Sequence, residues 1–442
     1  MSDRQVATSP NSLDLGDDRR AFKEQVMRAA IQAGYLGDDR IVASFVDSDG
    51  VARTIESLKQ AFPDNFQNTF AAKANTMRKA LQLVKSQGLG CEVASRGELE
   101  QAMRVGFEPD KIVYDEPAKT AFIIRRTLAA GVSLNIDNLQ EFEFVSSIMD
   151  TSGSDSRVGF RINPQVGGGT IGAMSTATRS SKFGIALDDE GNRSKLIDGY
   201  RANRWLTSMH THIGSQGCTL DLMVAGIRKV VDLVEEINTA IGDQQIKVID
   251  IGGGLPVNFD CDEFKPTFAE YAEALRARIP ELFSGKFTVK TEFGRSIYAK
   301  NGFIAARIEY TKNSGGRQIA ISHAGAQIAA RTAFMPDLWA IRLSVFDASG
   351  RPKSGNEVIQ DVAGPCCFAG DIIGHERELP LIEPGDYIML HDTGAYYFSN
   401  PFFYNSLPAS AVYGATSCEA GSVEFDVWRE QQTYDEMLAV IG

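Results

Sequence analysis

The run FAAKANTMRKALQLVKSQGLGCEVA, residues 70–94, carries the pattern from which the fold is predicted. An apolar, strand-like segment ends near Lys73, and apolar residues then recur at helical spacing until two glycines break the pattern. A second apolar segment begins at Cys91. Such an alternation of strand, helix and strand is typical of a parallel sheet with helical connections. The stretch therefore predicts one β/α unit with a lysine at the end of its first strand.

The same alternation continues along the next two hundred or so residues, which matches the size of a barrel of this class. Helix-like segments such as 220–241 separate nearly all of the apolar runs. Further strands are predicted at 91–94, 111–114, 132–136, 157–162, 206–212, 247–251 and 287–292. Together with the strand before Lys73 they predict an α/β fold, a (β/α)8 barrel, whose functional groups gather at the C-terminal ends of its strands.

The pattern changes from about residue 304, where short β-rich runs replace the helices. They lie at 317–322, 338–346, 356–362 and 386–391. The chain is therefore predicted to have an N-terminal segment over 1–50, a barrel over 51–300 and a C-terminal, mostly β domain over 301–442. The first fifteen or so residues are expected to be disordered.

Composition narrows the classes of function. The 442 residues are 43% hydrophobic, which is ample for a large core, and the net charge of −12 argues against binding to nucleic acid or to anionic membrane. Six cysteines are too sparse for a disulfide scaffold and show no zinc-ligand spacing. The polar N-terminal residues lack an apolar core of signal-peptide length, and no stretch approaches a membrane-spanning run, so we expect neither. We expect a cytoplasmic protein that acts on small metabolites and holds no metal.

Several polar residues are predicted to meet at one end of the barrel. A partly desolvated Lys73 amine can form a Schiff base with a carbonyl. The glycine triplet 252–254, directly after a strand, exposes backbone N–H groups to a phosphate, with which Arg295 can pair. Glu292 beside a pyridine nitrogen would keep that nitrogen protonated. With His212 to stack on the ring, these groups fit pyridoxal phosphate, a cofactor suited to loss of a carboxylate from Cα.

Each of these residues also has a simpler interpretation. Lys73 alone is compatible with a surface lysine whose stem lies over the barrel end. The glycine triplet is equally compatible with a tight turn, and it lacks the spacing of a dinucleotide-binding fingerprint. A lone histidine such as His212 at a strand end is often purely structural.

Eleven short runs together resemble one enzyme family, the diaminopimelate decarboxylases and the related ornithine decarboxylases. The runs are AAKAN (71–75), EVASRGELEQA (92–102), NID (135–137), RINP (161–164), SKFGI (181–185), HIGSQ (212–216), IDIGGGLP (249–256), EFGRS (292–296), GPCCFAGD (364–371), RELPLIEPGD (377–386) and DTGAYYFS (392–399). The resemblance spans nearly the whole chain. It implies an alanine-racemase-like barrel followed by a β domain, with 41–45 joining that domain as a strand.

The resemblance also implies roles for individual residues. Lys73 would bind the aldehyde of pyridoxal phosphate, His212 would stack on the ring, and Glu292 would contact the ring nitrogen. The phosphate would be held by Ser215, Gly253, Gly254, Arg295 and Tyr396.

The family further implies a homodimer with shared active sites. Cys367 would arrive from the partner subunit and donate a proton after decarboxylation, which suits a thiol that titrates near the working pH. Asp371, in the same segment, would position Cys367 or contact the substrate. A free cysteine is more often a buried small hydrophobe, a role that fits Cys366.

Departures from the family pattern concern the substrate. Phe368 stands where these decarboxylases carry an acid that binds the distal ammonium of the substrate, and an apolar side chain cannot compensate a desolvated ammonium. Arg331 matches the position that binds the distal carboxylate of diaminopimelate, although Met335 replaces an expected tyrosine, and a surface ion-pair role for Arg331 is an alternative. We therefore expect a decarboxylase for an amino acid with a distal carboxylate or other anionic group, of a siderophore- or polyamine-precursor type. Diaminopimelate, decarboxylated to L-lysine, is the alternative.

Two other classes of function share this barrel. Amino-acid racemases of the fold pair the ring nitrogen with an arginine, whereas Glu292 favours a protonated ring. A catalytically silent homologue that binds or regulates a partner is the other possibility, and retention of Lys73, Arg295, Cys367 and Tyr396 argues against it.

Overall fold

A computed structural model describes residues 15–418 and 421–442. The predicted disorder of the first fifteen or so residues falls almost entirely outside these ranges. Within them, no helix combines the length and the apolar character needed to cross a bilayer.

The α-helices and β-strands are numbered along the chain. The helices are α1 (Leu15–Gln32), α2 (Ser48–Ala61), α3 (Arg78–Ser86), α4 (Arg96–Val105), α5 (Ala121–Ala129), α6 (Leu139–Ser152), α7 (Asn192–Ala202), α8 (Leu220–Ile241), α9 (Phe268–Arg278), α10 (Arg295–Tyr298), α11 (Ala326–Phe334) and α12 (Tyr434–Ile441). The strands are β1 (Val42–Asp47), β2 (Phe66–Ala71), β3 (Gly90–Val93), β4 (Ile112–Tyr114), β5 (Ser133–Ile136), β6 (Val158–Asn163), β7 (Ile185–Ala186), β8 (Leu206–His210), β9 (Val248–Asp250), β10 (Thr288–Phe293), β11 (Gly302–Ser314), β12 (Arg317–Ser322), β13 (Leu343–Phe346), β14 (Glu357–Ala363), β15 (Ile372–Pro380), β16 (Tyr387–Leu390), β17 (Ala411–Ser417) and β18 (Val423–Arg429).

Eight parallel strands close into a barrel. Their order is β5-β4-β3-β2-β10-β9-β8-β6, and a further pairing between β5 and β6 closes the ring. The predicted barrel is thereby confirmed. Most strands lie within one or two residues of the predicted bounds, and the short β7 pairs with β6 outside the ring.

Local sequence explains the sharp ends of the barrel helices. In α4 the Ser95 side chain caps the helix by accepting a hydrogen bond from the Glu98 N–H, and Gly106 ends it in the left-handed conformation at φ 88°. Leu99 and Ala102 form the buried face between these ends. The helix therefore packs on the barrel as the alternating pattern predicted.

The second sheet is mostly antiparallel and forms a separate β domain, which is also confirmed. Its main path is β15-β14-β12-β11-β1-β17-β18, and β16 joins β11 to β13. The early strand β1 lies inside this sheet, antiparallel to β11 and parallel to β17. An apolar cluster that includes Val26, Phe45, Phe303 and Tyr413 packs α1 against it.

One predicted strand of the β domain is much shorter than expected. The run 338–346 is a strand only over Leu343–Phe346, although Trp339 and Ile341 are buried as well. These two side chains reach the core from a loop, so their apolar character does not reflect strand pairing.

The barrel interior is polar at the C-terminal ends of its strands. Lys290 and Glu292 lie at alternate positions on β10, as do Ser208 and His210 on β8, and all four are buried. Alternate residues of a strand face the same side of a sheet. The predicted site residues lie next to this inward-facing polar layer.

Candidate active site

Lys73 follows β2 in a single 3-10 turn, Ala72–Ala74, at the mouth of the barrel. Its Nζ lies 3.1 Å from Oε2 of Glu92, a residue of β3. The side chain of Lys73 is 39% exposed, whereas that of Glu92 is fully buried. Burial raises the pKa of Glu92 to about 8, while Glu92 outweighs the effect of burial on Lys73 and raises the pKa of its amine. The amine thus keeps the higher pKa of the two groups, and the proton of the pair rests on Lys73.

Glu292 lies on β10, below this opening, between two histidines. Its Oε2 is 3.4 Å from Nε2 of His210 and 3.8 Å from Nδ1 of His212. Nδ1 of His212 accepts a hydrogen bond from the Gly253 N–H at 3.2 Å, so this nitrogen carries no proton. Burial lowers the pKa of His212, which is therefore neutral. Burial opposes ionisation of Glu292 as well, but His210 outweighs it and lowers the pKa of the carboxyl group.

The glycine triplet forms a tight cradle between strands. A Cβ at Gly253 would overlap the carbonyl oxygen of Glu292, and one at Gly254 would overlap that of Gly214. Gly254 also has φ +86°, a conformation that favours glycine. Close backbone approach therefore requires glycine at both positions.

Arg295 lies above the cradle and begins α10. Its Nη2 donates to Oγ of Ser215 at 3.4 Å. Nε and Nη1 are buried and have no hydrogen-bond partner among the described residues. Burial lowers the pKa of Arg295 to about 10, which leaves the guanidinium charged at neutral pH. An uncompensated charge of this kind is suited to an anionic ligand.

Arg331 approaches the same place from the β domain. Its guanidinium lies 4.3 Å from the ring centre of Trp339 and 5.5 Å from that of Tyr396, and its Nη2 donates to the Ala395 carbonyl at 3.1 Å. Arg295 contacts the same two rings, at 5.1 Å and 4.6 Å. The Tyr396 N–H in turn donates to the Ala74 carbonyl, next to Lys73, at 2.8 Å. Two arginines thus share one aromatic cradle beside the barrel mouth.

Three predicted residues lie apart from this cluster. Cys367 is exposed, and its N–H donates to Oδ1 of Asn405 at 2.6 Å. Phe368 stacks on Phe334 with ring centres 5.3 Å apart. The carboxylate of Asp371 accepts hydrogen bonds from the N–H groups of Ala326 and Cys366, both at 2.6 Å. Asp371 thereby organises the loop that presents Cys367, and its contact with substrate stays a prediction.

Sequence reasoning did not select several residues of the site. No role was predicted for Glu92, although it lies in the quoted run EVASRGELEQA, or for Asp115, Arg161, His210 and Trp339. Arg161 lies in the quoted run RINP, and His210 precedes His212 by two positions within the predicted strand 206–212. That spacing was the available signal, because residues two apart on a strand face the same side.

Comparison with known proteins places the chain in a family. Residues 48–299, more than half of the chain, match the model described as pyridoxal-dependent decarboxylase, pyridoxal binding domain. The chain belongs to the pyridoxal-dependent decarboxylases. It is a pyridoxal-phosphate-dependent carboxy-lyase that acts on an amino acid.

Curated relatives that align with most of this chain are named diaminopimelate decarboxylase. The diaminopimelate decarboxylase of Pseudomonas fluorescens is 31% identical over 422 residues, which covers 95% of this chain and 96% of the relative. That of Pseudomonas aeruginosa is 32% identical over 347 residues and covers 76% and 78%. A crystal structure of diaminopimelate decarboxylase from Helicobacter pylori complexed with L-lysine has a TM-score of 0.78 at 24% identity, covering 90% and 96% of the two chains, and shares the fold.

The residues of the site fit pyridoxal phosphate. Arg295 has two buried N–H groups that lack acceptors. In the glycine triplet, the N–H groups of Gly252 and Gly253 already donate to Asp250 and His212. Both carboxylate oxygens of Glu292 are buried without a hydrogen-bond donor among the described residues. A phosphate at Arg295 and a protonated ring nitrogen at Glu292 would satisfy both.

Proposed function

We propose that this decarboxylase removes the α-carboxylate from an amino acid whose distal end carries a second carboxylate, and that diaminopimelate is its first candidate substrate. The curated relatives support diaminopimelate by name. The observation that carries the proposal is the pair formed by Arg295 and Arg331 in one aromatic cradle.

The charge of this pair requires two anions. Among the described residues neither arginine forms a salt bridge, and the Nε of Arg331 is buried without a hydrogen-bond partner. Arg295, nearest to Ser215 and the glycine turn, is assigned to the cofactor phosphate. Arg331 is then left for the distal carboxylate of the substrate, which a guanidinium binds in a fork geometry.

A second candidate follows from Phe368. Its ring lies nearly parallel to that of Phe334, at 8°, so this segment presents an aromatic surface where related decarboxylases present an acid. Such a surface would favour an amino acid with a distal carboxylate but no distal ammonium, as in siderophore or polyamine precursors. Diaminopimelate requires another side chain to compensate its second ammonium group.

Within the site each residue is assigned a separate task. Lys73 binds the cofactor aldehyde, Glu92 pairs with its Nζ in the cofactor-free protein, and neutral His212 packs on the ring face. Glu292 holds the ring nitrogen, while Ser215, Gly253, Gly254, Arg295 and Tyr396 hold the phosphate. Pyridoxal phosphate, when bound, supplies an electron sink for the pair left on Cα as the carboxylate departs.

We also propose that the protein is a homodimer in which Cys367 reaches the site of the partner subunit and donates a proton to the substrate carbon. Phe334, Phe368, Phe402 and Tyr404 form an aromatic patch, in which Phe334 is 55% and Phe402 39% exposed. An exposed cluster of large apolar rings marks an interaction surface. Arg331 and Phe334 lie on the same helix, so the patch adjoins the site.

The test is a substrate panel with carbon dioxide release as the readout. Diaminopimelate, lysine, ornithine, glutamate and a citryl-diamino acid differ in distal charge. We expect turnover only for members with a distal carboxylate, and diaminopimelate against the citryl compound separates the two candidates. Turnover of lysine or ornithine alone would contradict the proposed substrate class, and the loss of a visible absorption band and of all turnover in Lys73→Ala checks the cofactor assignment.

A further inference from the structure

Four buried side chains form a continuous chain beneath the cofactor site. They come from four different strands of the barrel: Arg161 on β6, Asp115 directly after β4, His210 on β8 and Glu292 on β10. Arg161 Nη1 donates to Asp115 Oδ2, and Asp115 Oδ1 lies 3.8 Å from His210 Nδ1. His210 Nε2 lies 3.4 Å from Glu292 Oε2. None of the four side chains is more than 6% exposed.

The charges along this chain alternate if His210 is protonated. Arg161 is positive, Asp115 negative, His210 positive and Glu292 negative. Buried charges persist only when they are paired, and an alternating chain pairs all four. Three of these residues also cluster as a metal site would, but Asp115 is already paired with the guanidinium of Arg161.

His210 is the cation that Glu292 requires. His212 is the other group near Glu292, but its Nδ1 already accepts the Gly253 N–H and has no proton to donate. Among the described residues, no lysine or arginine lies within ion-pair distance of Glu292. His210 is therefore the nearest group among the described residues that can carry a positive charge beside this carboxylate, and it lowers the pKa of Glu292 more than His212 or Lys73 does.

We propose that His210, oriented by Asp115 and Arg161, is a positioning residue that keeps Glu292 ionised and turned toward the ring nitrogen. The proposal rests on the role proposed above for Glu292. It assigns Asp115 and Arg161 to the support of His210 rather than to contact with substrate or cofactor.

The groups that face His210 agree with this role. Asp115 and Glu292 flank its two nitrogens, and Asp250 on β9 adds a third carboxyl group, which also faces Lys290. Burial alone would lower the pKa of His210, but the carboxylates outweigh it and raise the pKa to about 9. Arg161 and His210 likewise outweigh burial at Asp115 and lower its pKa.

The first experiment uses the cofactor-free protein and its five histidines. Nitrogen NMR of protein labelled in the imidazole rings reports the protonation of each ring. We expect one ring to keep both protons at pH 8, to disappear in His210→Asn, and to lose its proton at a pH about one unit lower in Asp115→Asn. A neutral His210 at pH 7 would overturn the proposal.

The second experiment uses the holoenzyme. In His210→Asn we expect kcat to fall about tenfold or more with KM little changed, and the cofactor absorption spectrum to shift toward that of an unprotonated ring. His323→Asn is the matched control, because His323 Nε2 also pairs with a glutamate, Glu309, at 3.1 Å, but in the β domain. An unshifted spectrum in His210→Asn would contradict a positioning role.

Failure of this proposal is distinguishable from failure of the proposed function. If Glu292→Gln retains full turnover while His210 is charged, the proposed role of Glu292 is wrong, but the alternating charges from Arg161 to Glu292 remain supported. If Glu292→Gln abolishes turnover while His210 is neutral, the positioning role alone is wrong. Should His210→Asn not fold, His210→Gln and Asp115→Asn provide the same readouts.

Discussion

Glu292 lies between two histidines of opposite protonation, and this difference follows from their backbone surroundings. His212 receives a hydrogen bond from the glycine turn and is neutral, whereas His210 faces carboxylates on both sides. Histidine thus supplies a flat uncharged ring at position 212 and a buried cation at position 210. The environment of each nitrogen decides the role, as is common for histidine.

The charge on His210 predicts a pH dependence of stability. Its pKa of about 9 lies above the ordinary value near 6.5, so its contribution is fully present below about pH 6.5 and is lost as the pH rises through about 9. The loss is on the order of 3 kcal/mol of unfolding free energy. Urea unfolding of the cofactor-free protein at several pH values should show this decline, and His210→Asn should flatten it. The same decline in both proteins would refute the assignment.

Arg331 determines the substrate preference if it binds the distal carboxylate. We expect Arg331→Ala to raise KM for a substrate with an anionic tail by about a hundredfold, since a charge-assisted hydrogen bond contributes roughly 1.5–3 kcal/mol. The cofactor absorption should not change. Arg377→Ala is the control, because Arg377 also donates to a backbone carbonyl, that of Ile341 at 2.7 Å, outside the site. Unchanged kinetics would remove Arg331 from the substrate pocket.

The conformation of the glycine turn after β9 is expected to determine the affinity for pyridoxal phosphate. Gly254 has φ +86° and lies against the Gly214 carbonyl, whereas Gly285 has φ +80° with open space around it. Alanine at either position costs on the order of 1 kcal/mol of stability through backbone strain, and at Gly254 its overlap with the Gly214 carbonyl displaces the turn as well. We expect only Gly254→Ala to weaken binding of pyridoxal phosphate, by tenfold or more in an equilibrium titration. Equal affinities for the two variants would mean that the turn does not hold the phosphate.

Helices and strands could be predicted from the sequence where local residues alone determine their bounds. Helix α8 has the predicted bounds, 220–241, because its apolar face and its caps agree, with Thr219 at one end and Gly242 at the other. The run 338–346 was predicted too long because Trp339 is buried by contact with two arginines rather than by strand pairing. The buried series Arg161–Asp115–His210–Glu292 was not predicted, since it joins residues from positions as far apart as 115 and 292. Periodicity reports which face of a strand is buried, not which charges meet there.

The arrangement of the whole molecule is compatible with the proposed sharing of each site between two chains. The barrel brings Lys73, Glu92 and Glu292 together, and the β domain adds Arg331 through α11. The same helix carries Phe334 to the aromatic patch, where Phe368 stacks beside the exposed Cys367. A second copy that covers this patch would bury its rings and bring Cys367 to a neighbouring site, with two equivalent sites by symmetry.

Mixing inactive subunits tests this shared site. Lys73→Ala and Cys367→Ala should each fold and lose most turnover, with Cys367→Ala retaining its cofactor absorption. If each site takes Lys73 from one subunit and Cys367 from the other, a mixed dimer has one site with both residues intact. Random pairing after subunit exchange then restores about a quarter of wild-type activity. Lys73→Ala mixed with Glu292→Gln is the control: both residues belong to the same barrel, so each site of the mixed dimer lacks one of them and activity stays low. Recovery in neither mixture would place Cys367 outside the partner's site.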